Sequence, residues 1–270
     1  RDAQESRGLG DVYKRQVYNG ANAMELGWVK DYSQIKSVVW CAGTGQSGFN
    51  ALGSILCGDV NPSGRTIDTF VYDLTQTPTA NNFGNFNYTN MDEFKANSFG
   101  TEVVPAFVNY VEGIYVGYKF YETAAAEGLI DYDKTVVYPF GRGLSYTTFT
   151  QTLNSVTEAD GTITVDVTVT NTGSASGKEV VEVYYNPPYT NGGIEKASAN
   201  LIGFAKTSEL APGASENVTV TFKAEDMASY DTYGKGCYVL EKGDYVISIN
   251  ADSHTVLDSK VYNVAVSYTH

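Results

Sequence analysis

The sequence predicts two units, an α/β unit followed by an all-β sandwich, and three observations predict it. A short apolar run, a Gly-rich turn and an apolar-faced segment at helical spacing follow one another across residues 37–58. Strict apolar–polar alternation begins after residue 149 and recurs between turn signals. The chain has 270 residues, 42% of them hydrophobic, which is enough material for two cores.

Each element follows in order. Residues 24–29 suggest a short helix. Residues 37–42 form an apolar run that reads as a buried strand of the kind a parallel sheet uses. Gly43, Gly45 and Gly48 make a turn. Ala51, Leu52, Ile55 and Leu56 then fall at helical spacing, with Gly58 as the stop. Asn61, Pro62, Ser63 and Gly64 break the chain, and residues 66–72 suggest another strand. This strand–turn–helix–turn–strand order is one α/β unit. Residues 74–101 have no clear period and read as a long ordered loop of the kind that is often functional. Residues 109–122 are aromatic and partly helical in pattern. Past the boundary at residues 147–153, Ile163, Val165, Val167 and Val169 face one way, while Thr164, Asp166, Thr168 and Thr170 face the other. Residues 179–185, 201–205, 217–222 and 245–250 supply further strands. About seven short strands separated by turns indicate a β-sandwich.

Composition excludes several classes. The formal charge of −13 and the pI near 4.5 disfavour nucleic acid and anionic membrane surfaces, which need clustered Lys and Arg. No apolar run approaches the roughly 18 residues of a membrane-spanning helix. Cys41, Cys57 and Cys237 are odd in number and form no metal-binding spacing, so they read as buried free thiols. The only histidines are His254 and His270, which excludes a multi-histidine metal site. The 21 tyrosines against two tryptophans fit strands first and sugar stacking second. Residues 1–16 and 266–270 carry no period and read as non-native ends, as if left from adapter sequence. The expected organisation is therefore 17–150 for the α/β unit and 151–265 for the sandwich.

Several motifs carry chemistry, each beside a plainer reading. Gly43, Gly45 and Gly48 match a dinucleotide fingerprint, and Asp68 stands where a ribose-binding acid would. The helix that follows is too short, and no further βαβ units succeed it, so a tight helix–strand turn is the better reading. Ser47 misses the nucleophile-elbow spacing at Phe49. His254 reads as a surface loop residue rather than a catalytic base. Asn87 and Asn217 begin glycosylation sequons. Glu112 stands in a Gly-bounded aromatic stretch and is the most interesting carboxylate, with helix capping or loop anchoring as its plainer role.

Two strings narrow the reading. Residues 110–121 run Tyr-Val-Glu-Gly-Ile-Tyr-Val-Gly-Tyr-Lys-Phe-Tyr, and residues 138–149 run Tyr-Pro-Phe-Gly-Arg-Gly-Leu-Ser-Tyr-Thr-Thr-Phe. With the Asn-Pro-Ser-Gly-Arg turn at 61–65, they resemble the C-terminal half of glycoside hydrolase family 3, the β-glucosidases and β-xylosidases. Lys119 replaces the usual Arg, Arg142 a frequent His or Tyr, and Glu182 a common Gln. The resemblance implies part of an α/β sandwich domain followed by a fibronectin type III-like β-sandwich. It also implies a retaining hydrolase of terminal β-linked sugars without cofactor or metal. In such enzymes an Asp nucleophile stands on a (β/α)₈ barrel and a Glu acid/base stands upstream of the segment matched here. By the resemblance, this chain holds no catalytic residue and is a fragment, inactive alone, whose partners are a carbohydrate substrate and the barrel of the same polypeptide. Glu112, Tyr115 and Tyr118 are the candidates for the wall of the sugar pocket. The alternative is a stand-alone, non-catalytic carbohydrate-binding or structural module.

Overall fold

A computed structural model describes residues 17–18, 20–82, 86–90, 96–98, 100–103 and 106–269. The expected non-native segment 1–16 lies outside the described residues, as does His270.

The first unit is built from short elements. Strand β1 (Val17–Tyr18) pairs in parallel with β2 (Val39–Trp40), and a 3₁₀ turn at Gly27–Asp31 stands where residues 24–29 suggested a helix. Helix α1 (Gly48–Cys57) forms as its spacing predicts and ends on Gly58, whose φ of 85° only glycine adopts freely. Strand β3 (Phe70–Val71) follows. Residues 74–101, expected to be one long loop, contain a 3₁₀ turn at Leu74–Gln76, helix α2 (Pro78–Asn82), β4 (Phe86–Asn87) and β5 (Ala96–Ser98). Strand β5 pairs with β6 (Thr101–Val103), and β4 pairs with β7 (Ala106–Phe107). Helix α3 (Tyr118–Ala126), helix α4 (Tyr132–Thr135) and β8 (Val136–Tyr138) complete the unit.

Strand β8 pairs antiparallel with β3, and this pair organises the unit. One face carries Phe70 and Val137 into a cluster with Leu26 and Val29. The other carries Val71 and Val136 against Tyr121. The period of two along a strand therefore feeds two small cores from four residues.

Two sequence expectations need correction here. Residues 37–42 do not form a buried strand: only Val39 and Trp40 pair, and both are half-buried because β1 is their only partner among the described residues. The cysteines are free but not buried. Cys57 is exposed because α1 buries only Leu52 and leaves its last turn open, and Cys41 and Cys237 are intermediate.

The second unit is a sandwich of three and four strands. Strands β9 (Phe149–Ala159) and β10 (Thr162–Asn171) join through Asp160 and Gly161, both at positive φ, as a two-residue hairpin of the primed type requires. Strands β11 (Val180–Asn186) and β12 (Asn200–Lys206) belong to the other sheet, and β13 (Ser215–Lys223) returns to pair with β10. Strands β14 (Ser229–Tyr230) and β15 (Tyr238–Leu240) form a small side sheet. Strands β16 (Gly243–Asn250) and β17 (Val256–Val264) complete the main sheets, whose orders are β13-β10-β9 and β12-β11-β16-β17. Strand β18 (Tyr268–Thr269), in the tail set aside from sequence, pairs with β15.

The predicted alternation holds along β10. Ile163, Val165, Val167 and Val169 are 0% exposed and face Val181, Val183, Ile247 and Ile249 of the opposite sheet. Each such side chain contributes roughly 1.5–3 kcal/mol by leaving water.

Candidate functional site

The two units meet at a polar junction made by the two strings and the Asn61–Arg65 turn. Having no helix to continue, the chain after α1 extends along the sandwich. Asn61 Oδ1 accepts from the Ser145 hydroxyl at 2.9 Å and the Tyr146 N–H at 2.8 Å, while its Nδ2 donates to the Ser176 carbonyl at 2.9 Å. Arg65 Nη2 donates to Glu179 Oε1 at 2.7 Å, and its Nε stands 4.0 Å from Glu182 Oε1. Lys206 Nζ donates to the Ser63 carbonyl at 2.9 Å. The backbone of Thr66 exchanges hydrogen bonds with Gly141 and Arg142, both at 2.8 Å. At the sandwich end, Asn171 accepts from the Thr147 hydroxyl at 2.7 Å and donates to the Ala175 and Leu210 carbonyls.

Glycine is required at position 141. Its φ is +83°, and a Cβ there would lie 2.3 Å from Glu182 Oε2. Glu182 itself is buried on the outer face of β11. Burial pushes its carboxyl up to about 7, against the lowering effects of the Tyr184 hydroxyl at 2.9 Å and of Arg65. Arg142, the residue standing where the family often has His or Tyr, lies 3.9 Å from Asp252 and over the Tyr138 ring at 5.7 Å.

The structure separates the three candidate pocket residues. Glu112 and Tyr115 lie three apart on a turn, with the Tyr115 N–H donating to the Glu112 carbonyl at 2.9 Å. Both line a pocket of about 320 Å³ with Asp68, Thr69, Leu74 and Tyr121. Thr69 is buried and its hydroxyl has no hydrogen-bond partner among the described residues. Asp68 sits at the mouth, where partial desolvation pushes its carboxyl up against the lowering effect of the Thr69 N–H at 3.0 Å. The Tyr115 hydroxyl donates to Glu195 of the sandwich; desolvation first, then that carboxylate, raises it above the usual phenol range. Tyr118 is not part of this pocket. Its ring stacks on Phe140 at 4.6 Å and meets Tyr184 edge-on at 6.1 Å, and its hydroxyl accepts the Leu201 N–H at 2.9 Å. It fastens α3 to β12.

A second cluster was not read from sequence. Glu122, one turn beyond Tyr118 on α3, is buried and accepts from the Tyr132 hydroxyl at 2.7 Å and the Ser253 hydroxyl at 2.8 Å. His254 Nδ1 lies 2.8 Å from its other oxygen, and the imidazole stacks on Tyr132 at 3.6 Å between ring centroids. The expected loop histidine is thus half-exposed but tied to the first unit. The only sequence signal was the i,i+4 spacing of Tyr118 and Glu122 on one helix face.

Strands β2 and β3 do not form a βαβ unit around the Gly43–Gly48 turn: β2 pairs with β1, and β3 with β8, in separate sheets. Instead, a Cβ on Gly48 would meet Thr44 Cβ at 2.7 Å, so close packing accounts for that glycine. Among the described residues, no group of three or more His, Cys, Asp or Glu is arranged to hold a metal ion.

The described architecture is an α/β unit joined to a β-sandwich, with a carboxylate- and tyrosine-lined pocket on the former. Residues 16–118 match the glycosyl hydrolase family 3 C-terminal domain, and residues 179–253 match the fibronectin type III-like domain. The chain is 37% identical over 247 residues to Beta-glucosidase A of Butyrivibrio fibrisolvens, covering 85% of this chain and 27% of that protein. It is 33% identical over 252 residues to a beta-glucosidase of Ruminococcus albus, covering 91% of this chain and 23% of that one. Among solved structures, a beta-glucosidase from Paenibacillus barengoltzii superposes with a TM-score of 0.76 at 33% identity, over 94% of this chain and 26% of that one. Beta-glucosidase 3B from Thermotoga neapolitana in complex with glucose gives 0.75 at 31%, over 94% and 31%. The chain belongs to glycoside hydrolase family 3 and spans about a quarter of the length of the curated relatives it matches.

Proposed function

We propose that this chain is the non-catalytic part of a retaining β-glucosidase, organised as residues 17–150 and 151–265, and that it does not turn over substrate by itself. The carrying observation is the Asn61–Arg65 turn locked onto Glu179, Ser145, Tyr146 and Ser176, which joins the two units in a chain of which 85% aligns with a β-glucosidase. Retaining hydrolysis needs a nucleophilic carboxylate and an acid/base carboxylate roughly 5 Å apart. In this reading, a barrel Asp and an upstream Glu supply them, and the substrate is a terminal β-linked glucoside. Glu112 and Tyr115 contribute a hydrogen-bonding carboxylate and an aromatic edge to the sugar-pocket wall. Tyr118 supports that wall from behind by fixing α3.

Exposed apolar side chains on the first unit support this arrangement. Phe49, Ile67, Tyr110 and Val111 are 50%, 73%, 85% and 64% exposed, and such surface favours a covering partner. The barrel is that partner.

A chimera tests the reading. Residues 17–265 replace the corresponding segment of Beta-glucosidase A of Butyrivibrio fibrisolvens. The chimera should hydrolyse p-nitrophenyl β-D-glucoside, and Glu112→Gln within it should raise KM several-fold with little change in kcat. A folded but inactive chimera would favour the alternative, a stand-alone carbohydrate-binding or structural module. An unchanged KM in the Glu112→Gln chimera would remove the wall assignment.

A further inference from the structure

We propose that the cleft between α3 and the outer face of the four-stranded sheet is a second ligand site, separate from the Glu112 pocket, that takes a small neutral polyhydroxylated molecule of monosaccharide size. The register of β11 and β16 builds its floor. Val183, Ile247 and Ile249 point into the sandwich core, so the opposite face carries the cross-strand pairs Tyr184–Ser248 and Asn186–Val246, with Asn250 beside Glu182. Helix α3 stands over this face, and the half-open cleft between them has a volume of about 570 Å³, within the roughly 300–1,000 Å³ of small-molecule sites.

The lining chemistry selects the ligand. Asn250 is 2% exposed, lines the cleft, and its Oδ1 has no hydrogen-bond partner among the described residues. A buried acceptor without a donor favours a ligand that brings one. His254 commits Nδ1 to Glu122, while its Nε2 bonds no described residue. Ser248 adds a buried hydroxyl. Between these polar atoms, Ala125, Ile130 and Val246 give apolar wall. No Lys or Arg lines the cleft, so an anion finds no counter-charge. Its one carboxylate, Glu122, already accepts from Tyr132 and Ser253 and pairs with His254, so a cation gains little. A hydroxyl both donates and accepts, and a sugar ring adds C–H faces for the apolar wall. This inference does not depend on the catalytic reading.

His254 and His270 are the only histidines, so the imidazole resonances report on the site directly. D-glucose, glycerol and glucose 6-phosphate are titrated into the purified chain while the His254 signal is followed, with His254→Gln assigning it. Glucose should give a saturable shift, at least about tenfold tighter than glycerol, and the phosphate should add no affinity. Ala126→Trp, at an exposed helix position on the cleft rim, should weaken glucose binding at least about tenfold. Ser259→Trp on the facing strand provides the same block if α3 tolerates no tryptophan. Tyr115→Ala, in the other pocket, should leave the shift intact. Absence of a saturable shift with glucose, or equal affinity in both blocked variants, overturns the proposal. Loss of the shift in Tyr115→Ala also overturns it, by assigning the binding to the Glu112 pocket.

Discussion

Glu182 couples the junction to pH. Its carboxyl is raised from 4.5 to about 7 chiefly by burial, so the folded state holds a proton that the unfolded state has lost. The stability this confers is fully present below about 4.5 and disappears as pH rises through about 7. At about 1.4 kcal/mol per tenfold, the loss across that window is on the order of 3 kcal/mol. Urea titrations from pH 4 to 8 should show the decline, and Glu182→Gln should flatten that part of the profile. A decline of equal size in the variant would assign the titration elsewhere. Gly141→Ala strains the same contact from the other side, by forcing a Cβ onto Glu182 at a left-handed φ. It should cost about 1–3 kcal/mol in the denaturation midpoint. Tyr118→Phe removes the acceptor for the Leu201 N–H and should cost about 1–3 kcal/mol if that donor stays unpaired. A wild-type midpoint in Tyr118→Phe would show that the contact adds nothing to the junction.

Among the elements, β10 and β16 carry the sandwich. Ile249 is 0% exposed within the valine-rich core, so Ile249→Ala should lower stability by about 2–5 kcal/mol, measured by thermal or urea unfolding. A change below 1 kcal/mol would mean that the core collapses readily around the deletion, against the close packing described here. The same elements explain what could be read in advance. Strand β10 was legible because both of its faces declare themselves, four apolar side chains against threonines and Asp166. Strand β9 was not, because among its eleven residues Leu153 alone is buried, and an edge strand facing solvent carries no alternation. Its Asp160–Gly161 hairpin was the available signal. Strand β17 escaped for the same reason, at the other sheet's edge. In the first unit, periodicity identified α1 and its glycine stop but misjudged burial. A helix's apolar face says that something covers it, not whether this segment supplies the cover.

Across the whole molecule, the most family-like strings hold two domains together. Residues 61–65 and 118 meet Ser176, Glu179, Glu182 and Leu201 across more than 80 residues of sequence, and Thr147 meets Asn171 across 24. Sequence reading found these strings but could not see what they touch, because hydrogen-bond partners so distant leave no local period. Glu112 and Tyr115 were legible as neighbours since they share one turn. The Glu122–His254 cluster was not, because its members lie 132 residues apart and join only after both units fold. Under the proposed function, labour is divided: this chain shapes and supports a sugar pocket, and the bond-breaking carboxylates stand on the rest of the polypeptide. The most direct test is turnover of p-nitrophenyl β-D-glucoside by the purified 270-residue chain. Release should be no faster than the buffer blank at any concentration of the chain. Turnover proportional to the chain's concentration, and abolished by Glu112→Gln, would contradict it and place the chemistry within this chain.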